Sequence, residues 1–248
     1  MAIISLTEQN IGMEHICCAL SDKKGESGVS RKKAWLTCRF AEGLKFRRLN
    51  ERGKVFIEYL PAENAWVPVE AKGYMFINCH WVSGSFKGQG FGRQLLAECE
   101  KDAQDMNGIV VISSDKKRPF LSDKSFFLKN GFEVCDTAEP YFELLVKRYK
   151  PDAPLPRFLP NAKALCINSD PGLDIYYTAQ CPFAINYTQG LFELAKDSPV
   201  PIRFHEFTTR EEAQRHVCPA TTYSVFLNGK FITHEILTMP KILKLLEV

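Results

Sequence analysis

Phe86-Lys87-Gly88-Gln89-Gly90-Phe91-Gly92-Arg93 is the stretch on which the fold of this chain turns. It follows a run of aromatic and β-branched residues, Tyr74–Val82, and opens a segment where Leu95, Leu96, Cys99, Ala103 and Met106 recur at helical spacing. Strand, glycine loop and helix together suit an anion. Residues without a Cβ let a phosphate approach the backbone, and the free N–H groups and positive dipole end of the helix answer its charge. A dinucleotide fold would want GxGxxG in a parallel βαβ unit with an acidic residue about 20 positions later, and a P-loop would want Gly-Lys followed by Ser or Thr. The loop has neither pattern.

Upstream, Met13, Ile16, Cys17 and Leu20 recur at helical spacing, and Ser30 is placed to cap a second helix carrying Ala34, Trp35, Cys38 and Ala41 before Gly43. Two helices are thus expected before the sheet. Residues 44–49, 54–60 and 74–82 then read as three strands separated by Gly, Pro and Asn, and antiparallel pairing is expected. Downstream come a strand over 108–113, a helix over Lys124–Lys129, the turn Asn130-Gly131-Phe132 and a closing strand over 141–147. Between Lys150 and Asn161 stand four prolines, a density incompatible with a helix interior or a central strand. The expected division is therefore residues 1–150, a proline-rich linker over 151–160, and a second domain over 161–248.

In the second half, residues 173–177 read as a strand, and Cys181-Pro182-Phe183-Ala184 leads into a helix with Tyr187, Leu191, Leu194 and Ala195 on one face. Pro182 suits a first helical turn, which puts Cys181 at the helix N-terminus, where the dipole favours a thiolate. Val200, Ile202 and Phe204 alternate as a strand, and Thr209-Arg210-Glu211-Glu212 is a capping-box signature. Residues 224–227, Asn228-Gly229 and Lys230–Thr233 read as a hairpin with a type I′ turn, and Ile242, Leu243 and Leu246 mark a last helix.

The glycine loop resembles the pyrophosphate-binding loop of the GNAT N-acetyltransferases, and the likeness runs through residues 1–150, including Phe126-Phe127-Leu128-Lys129-Asn130-Gly131-Phe132, which looks like that family's second helix signature. The resemblance implies that acetyl-CoA is the acetyl donor. Its pyrophosphate would lie against Lys87, Gly88, Gln89, Gly90, Phe91, Gly92 and Arg93, and its pantetheine arm against the strand end at Trp81 and Val82, with a backbone N–H near Val82 polarising the thioester carbonyl. A neutral amine, on a small molecule or a peptide, would then attack that carbonyl. This chain departs from the family in two ways. Lys87 stands where Gln or Arg is usual and keeps a cationic donor. Phe127, counted with the cofactor-contacting residues, stands where many members carry a tyrosine that protonates the leaving thiolate, and it has no proton to give. The strand also lacks the glutamate many members use. Asn78 and His80 are expected to share one face by the period of two, so His80 is the nearest titratable substitute and the candidate catalytic residue, with water chains to Glu58 or Glu70 as the other route.

The second half resembles the thioredoxin-like fold, with Cys181 at the glutaredoxin active-site position. Ala184 replaces the resolving cysteine and Tyr223 stands where the cis-proline would precede the hairpin. A substrate-lining or scaffold role for Cys181 is therefore expected over a redox one. The pairing of the two halves resembles the YoaP-like group of bacterial acetyltransferases. The fold class is α/β, an α+β GNAT acyltransferase fold plus a smaller thioredoxin-like domain. Two other functions stay open: a thiol-dependent redox protein acting through Cys181, and a non-catalytic acyl-CoA-binding module.

The whole chain has 248 residues, 45% hydrophobic and 25% charged, which leaves apolar area for more than one core. A net charge of +3 does not favour nucleic acid, and no segment reaches the roughly 18 apolar residues of a membrane span. Nine cysteines without a CxxC pair point to a cytoplasmic protein without a disulfide framework, with Cys17, Cys99 and Cys135 as core residues. Cys218-Pro219 near His216 lacks the partners of a zinc site, so no metal is expected. Lys116-Lys117-Arg118 reads as a solvated basic run. The chain is compatible with a monomer or a homodimer.

Overall fold

The structure is a computed structural model that describes residues 1–16 and 18–246. Cys17, expected in the core, lies outside the described residues. The first part of the chain runs β1 (Ile3–Leu6), α1 (Gly28–Phe40), β2 (Lys45–Leu49), β3 (Val55–Pro61), β4 (Val69–Glu70), β5 (Tyr74–Val82), α2 (Phe91–Asp102), β6 (Gly108–Ser114), α3 (Lys124–Lys129), β7 (Glu133–Ala138) and β8 (Phe142–Arg148). Seven of these strands form one sheet in the order β1-β2-β3-β5-β6-β8-β7, antiparallel except where β5 meets β6.

The parallel pair is short. Its register runs from Tyr74 opposite Gly108 to Ile77 opposite Val111, after which β5 continues to Val82 with no partner on that side. A cleft opens there, and α2 starts beside it.

The faces of the sheet are covered by helices whose apolar spacing fits them. Leu95, Leu96 and Cys99 of α2 bury against Ile57, Ile77 and Val111, while Val29, Trp35 and Leu36 of α1 pack with Phe46, Phe56 and Phe76 on the other face. One apolar position of α1 is occupied by Lys32, which is 1% exposed.

Two expectations for this half need correction. No helix spans Met13 to Leu20 among the described residues; the segment is a series of turns and bends. Asn10 accounts for the first turn, since its Oδ1 accepts the Thr7 N–H at 2.8 Å while its Nδ2 donates to Ser5 O at 2.9 Å. A strand and one helix, not two helices, therefore precede β2. Nor does Ser30 cap α1: the Asp22 carboxylate reaches in from upstream and accepts the N–H groups of Val29 and Ser30.

The rest comprises β9 (Arg157–Phe158), β10 (Leu173–Tyr177), α4 (Pro182–Gln189), α5 (Phe192–Asp197), β11 (Ile202–Glu206), α6 (Arg210–Gln214), β12 (Tyr223–Leu227), β13 (Lys230–Thr233) and α7 (Met239–Leu246). A four-stranded sheet has the order β11-β10-β12-β13, with β10 and β11 parallel and the remaining pairs antiparallel. The helix expected to carry both Tyr187 and Leu194 is broken near Gly190 into α4 and α5, and Tyr187 is exposed. The Thr209–Glu212 capping box is present, and Asn228 and Gly229 take the positive φ of the hairpin turn.

The proline-rich stretch is docked on the first half. Its β9 pairs antiparallel with β4, Phe158 is 2% exposed, and one apolar cluster continues from Phe56 and Trp66 through Phe158 to Phe207 and Phe226. At the crossing of α1 and α4, a Cβ on Gly28 would lie 2.2 Å from Pro182 O, and the Gly28 N–H donates to Asn186 Oδ1 at 2.8 Å. Glycine is what lets the helices approach so closely.

Candidate functional site

The unpaired edge of β5, the glycine loop and the turn before α4 surround one cavity of about 760 Å³. That volume lies within the ordinary range for small-molecule sites. At its outer end, Gly88 and Gly90 take φ of +77° and +80°, with open space where their side chains would stand. Gly90 is the N-cap of α2, so the first N–H groups of that helix are unshielded. Lys87 and Arg93 line the same end, Arg93 also pairing with Glu100 at 2.6 Å. Loop backbone, helix dipole and two cations make this end suited to a phosphate group.

Of the expected site residues, His80, Trp81, Val82, Lys87, Gly88, Gly90, Phe91, Gly92, Arg93 and Cys181 line the cavity. Gln89 and Phe127 do not. The Gln89 side chain turns back to donate to Ser85 O at 2.5 Å, and Phe127, 1% exposed, lies in the core in edge contact with Phe126 and Phe132. Of the two adjacent rings on α3, Phe126 lines the cavity and Phe127 does not.

A β-bulge decides what faces what along β5. The register with β3 slips between Glu58 and Tyr59, leaving Asn78 without an opposite residue. Asn78 therefore turns to the α1 side with Cys79, where its Nδ2 donates to Glu58 Oε1 at 3.0 Å. His80 is on the other side, stacked on Phe126 with ring centroids 4.5 Å apart. The expectation that Asn78 and His80 share one face is overturned by this one extra residue. His80 Nε2 meets Gly92 O at 3.1 Å, and burial holds its pKa down to about 4, against the weaker upward pull of that carbonyl. It is a neutral ring near pH 7 that braces the start of α2.

On the α1 side the cavity floor is ionic. Lys32 Nζ donates to Glu58 Oε2 and, at 2.6 Å, to Gln180 O, the carbonyl just before Cys181. Burial works to lower the Lys32 pKa, but the Glu58 carboxylate outweighs it and the ammonium is held above its ordinary range. Glu58 is fully buried, whereas Glu70 is half exposed and paired with Arg157 on the β4–β9 ribbon, away from the cavity. Sequence reading missed Lys32. Its signal was a lysine on the apolar face that Val29, Trp35 and Leu36 define.

Three thiols, Cys18, Cys79 and Cys181, also line the cavity. Burial raises the pKa of each, that of Cys79 to about 12, while the nearby Lys32 ammonium pulls each downward. Cys181 is the N-cap of α4, and the N–H groups of Ala184 and Phe183 also draw its pKa down. The C-terminal wall is completed by Phe183, Thr221, Tyr223 and His234. His234 is held at both nitrogens, by Tyr141 Oη and Pro119 O. Among the described residues no group of three or more His, Cys, Asp or Glu could hold a metal ion, and no helix is long and apolar enough to cross a membrane.

Residues 24–132 match the model of the acetyltransferase (GNAT) family, and residues 193–244 match the YoaP-like family. The chain is 48% identical over 248 residues to a Bacillus subtilis (strain 168) protein named uncharacterized N-acetyltransferase YoaP, covering 99% of this chain and 98% of that one. Among solved structures, PaiA N-acetyltransferase from Thermoplasma acidophilum in complex with coenzyme A is 17% identical, with 60% of this chain and 100% of that one covered at a TM-score of 0.42. A GNAT acetyltransferase from Brucella melitensis in complex with acetyl-CoA is 19% identical, with 62% and 91% covered at a TM-score of 0.37. The chain belongs to the GNAT N-acetyltransferases, a family whose acetyl donor is acetyl-CoA, and carries a YoaP-like region in its C-terminal half.

Proposed function

We propose that the shared cavity is where this N-acetyltransferase moves an acetyl group from acetyl-CoA to an amine, and that the two ends of the cavity serve the two substrates. The observation that carries this is the placement of the glycine loop and the Cys181 turn on one continuous cavity. Gly88, Gly90, Lys87 and Arg93 hold the pyrophosphate, with the first N–H groups of α2 as donors. The pantetheine arm runs along β5, where the strand edge is free beyond Ile77 rather than only at Val82, and the unpaired N–H groups there polarise the thioester carbonyl.

The acceptor, a small molecule or a peptide bearing the amine, meets the wall built by Phe183, Thr221 and Tyr223. On this view residues 1–150 bind the donor and residues 161–248 shape the acceptor end. The sheet order β11-β10-β12-β13 and the cysteine at the start of α4 support a thioredoxin-like description of the second part, and the eight free cysteines among the described residues support a cytoplasmic setting. Acetyl-CoA-dependent release of free CoA, followed with and without a mixture of primary amines, tests the assignment. Amine-dependent release supports it, and release unchanged by every amine refutes it.

A further inference from the structure

Phe120, in the connection between β6 and α3, is an outlier in both its backbone and its exposure. Its φ is +62°, in the left-handed region that a bulky side chain rarely adopts. The ring gains no core packing in return: it is 51% exposed and lines the cavity. The chain on either side holds it there. Ser113 Oγ donates to Ser122 O at 2.7 Å, and His234 Nε2 meets Pro119 O at 2.9 Å. A carbonyl only accepts, so Nε2 of His234 carries the proton and Nδ1 accepts from Tyr141 Oη at 2.7 Å. The Arg118 guanidinium covers the Tyr141 ring at 3.8 Å from its centroid and completes the brace. Backbone strain fixed by its surroundings in this way is characteristic of segments that clamp ligands.

The brace also says which end of the cavity Phe120 serves. His234 belongs to the C-terminal wall, so Pro119 and Phe120 stand with the acceptor, and the apolar lining continues through Leu121, Phe183 and Ile236. Charge is arranged differently. Among the described residues that line the cavity, Asp123 is the one carboxylate, against Lys32, Lys87, Arg93 and Lys117. Asp123 is committed: its Oδ1 accepts the N–H and hydroxyl of Ser125, and its Oδ2 pairs with Lys117 at 3.3 Å. The rings of Trp81 and Phe183 already meet the Lys54 ammonium, at 4.8 and 5.4 Å from their centroids. A second positive charge on the acceptor thus finds no counter-charge, and burying one unpaired is costly.

We propose that the acceptor is a monoamine carried on an apolar ring, an arylalkylamine, and that Phe120 is the residue that selects it. This rests on acetyl transfer in the cavity and names the class of amine. The ring of the acceptor packs on Phe120 in the offset or edge-on manner that aromatic pairs favour, with Leu121 and Phe183 alongside, while the alkyl arm carries the nitrogen to the thioester. Diamines, polyamines and lysine-rich peptides are disfavoured, because losing a proton from the attacking nitrogen leaves their other ammonium groups charged.

The test follows CoA release by the full-length protein with phenethylamine, ethylamine, putrescine and a lysine-containing peptide. kcat/KM for phenethylamine is expected to exceed that for each of the others by at least about tenfold. Phe120→Gly should raise KM for phenethylamine at least about fivefold while KM for ethylamine and calorimetric acetyl-CoA affinity stay within about twofold of the parent. It should also unfold at the parent's temperature or above, since glycine accepts the left-handed φ. A lower unfolding temperature with equal losses for both amines overturns the selecting role and leaves Phe120 a structural residue. Turnover of putrescine or the peptide as good as that of phenethylamine overturns the class. Release driven by a mixture of primary amines but not by phenethylamine overturns it too and leaves acetyl transfer standing, whereas release unchanged by every amine removes both.

Discussion

The cavity lies between two helix N-termini that use the same physics for different purposes. At α2 the cap is Gly90 in a left-handed conformation with open space around it, so the N–H groups are available to a ligand. At α4 the cap is Cys181 followed by Pro182, and the helix start is pressed against Gly28 of α1 and tied to Lys32 through Gln180. One terminus is left open for a charge brought from outside, and the other is closed around a group the chain supplies. A helix dipole by itself does not say which; the packing around its first turn does.

The sharpest way to break this contrast is at the ion pair. Lys32→Met leaves Glu58 buried without its cation, and a loss of about 3–5 kcal/mol in chemical denaturation is expected. The double variant Lys32→Met, Glu58→Leu should recover most of that loss. A loss under about 1 kcal/mol for the single variant would show that the floor of the cavity tolerates the bare carboxylate through water, and that the α4 terminus is not closed.

Acid separates the two halves of the molecule next. His80 beside α2 and His216 in the C-terminal half are both buried and neutral, with pKa values held down by burial to about 4 and about 3. The unfolded chain protonates its histidines near 6.5, so their contribution to stability is intact above that pH. It is lost as pH falls from about 6.5 through the folded values, by up to about 1.4 kcal/mol per pH unit for each. Denaturation midpoints measured from pH 7 to pH 4 should fall, and His80→Gln, which keeps a donor for Gly92 O, should flatten the slope. An unchanged slope in that variant would mean that His80 takes up its proton in the folded protein as readily as in the unfolded chain.

At the open terminus, Gly90→Asp adds a negative charge and a Cβ at a left-handed position. Acetyl-CoA affinity measured by calorimetry is expected to drop at least about tenfold, roughly 1.4 kcal/mol. Equal affinities would take the pyrophosphate away from the loop. The smallest effect is expected on the ribbon outside both termini. Arg157 and Glu70 are exposed at 67% and 53%, and Arg157→Ala should change stability by less than about 1 kcal/mol with acetyl-CoA binding unaltered.

Legibility in the sequence followed the range of the interactions. The glycine loop, the antiparallel run into β5, the capping box at Thr209 and the hairpin at Asn228-Gly229 are short-range patterns, and each is where the spacing put it. The segment after β1 misled because its apolar spacing mimics a helix while Asn10 closes a turn, leaving Met13 at 88% exposure. The two-residue strands β4 and β9 carry no periodicity and exist through their pairing with each other. In the site, the loop residues were legible and the floor was not. Lys32, Glu58 and Gln180 come from three distant parts of the chain, and the bulge at Asn78 that divides it from His80 follows from register, which single-strand alternation cannot show.

The tie between Lys32 and Gln180 also has a consequence for synthesis. A ribosome delivers α1 and the seven-stranded sheet long before it delivers the carbonyl of Gln180 or the helix that fits against Gly28. During that interval Lys32 has Glu58 alone, and apolar side chains such as Trp66 and Phe56 lack the Phe207 and Phe226 that later join their cluster. The nascent protein must carry an unfinished seam until its last third emerges, which makes this stage the one at which chaperones would find most to hold.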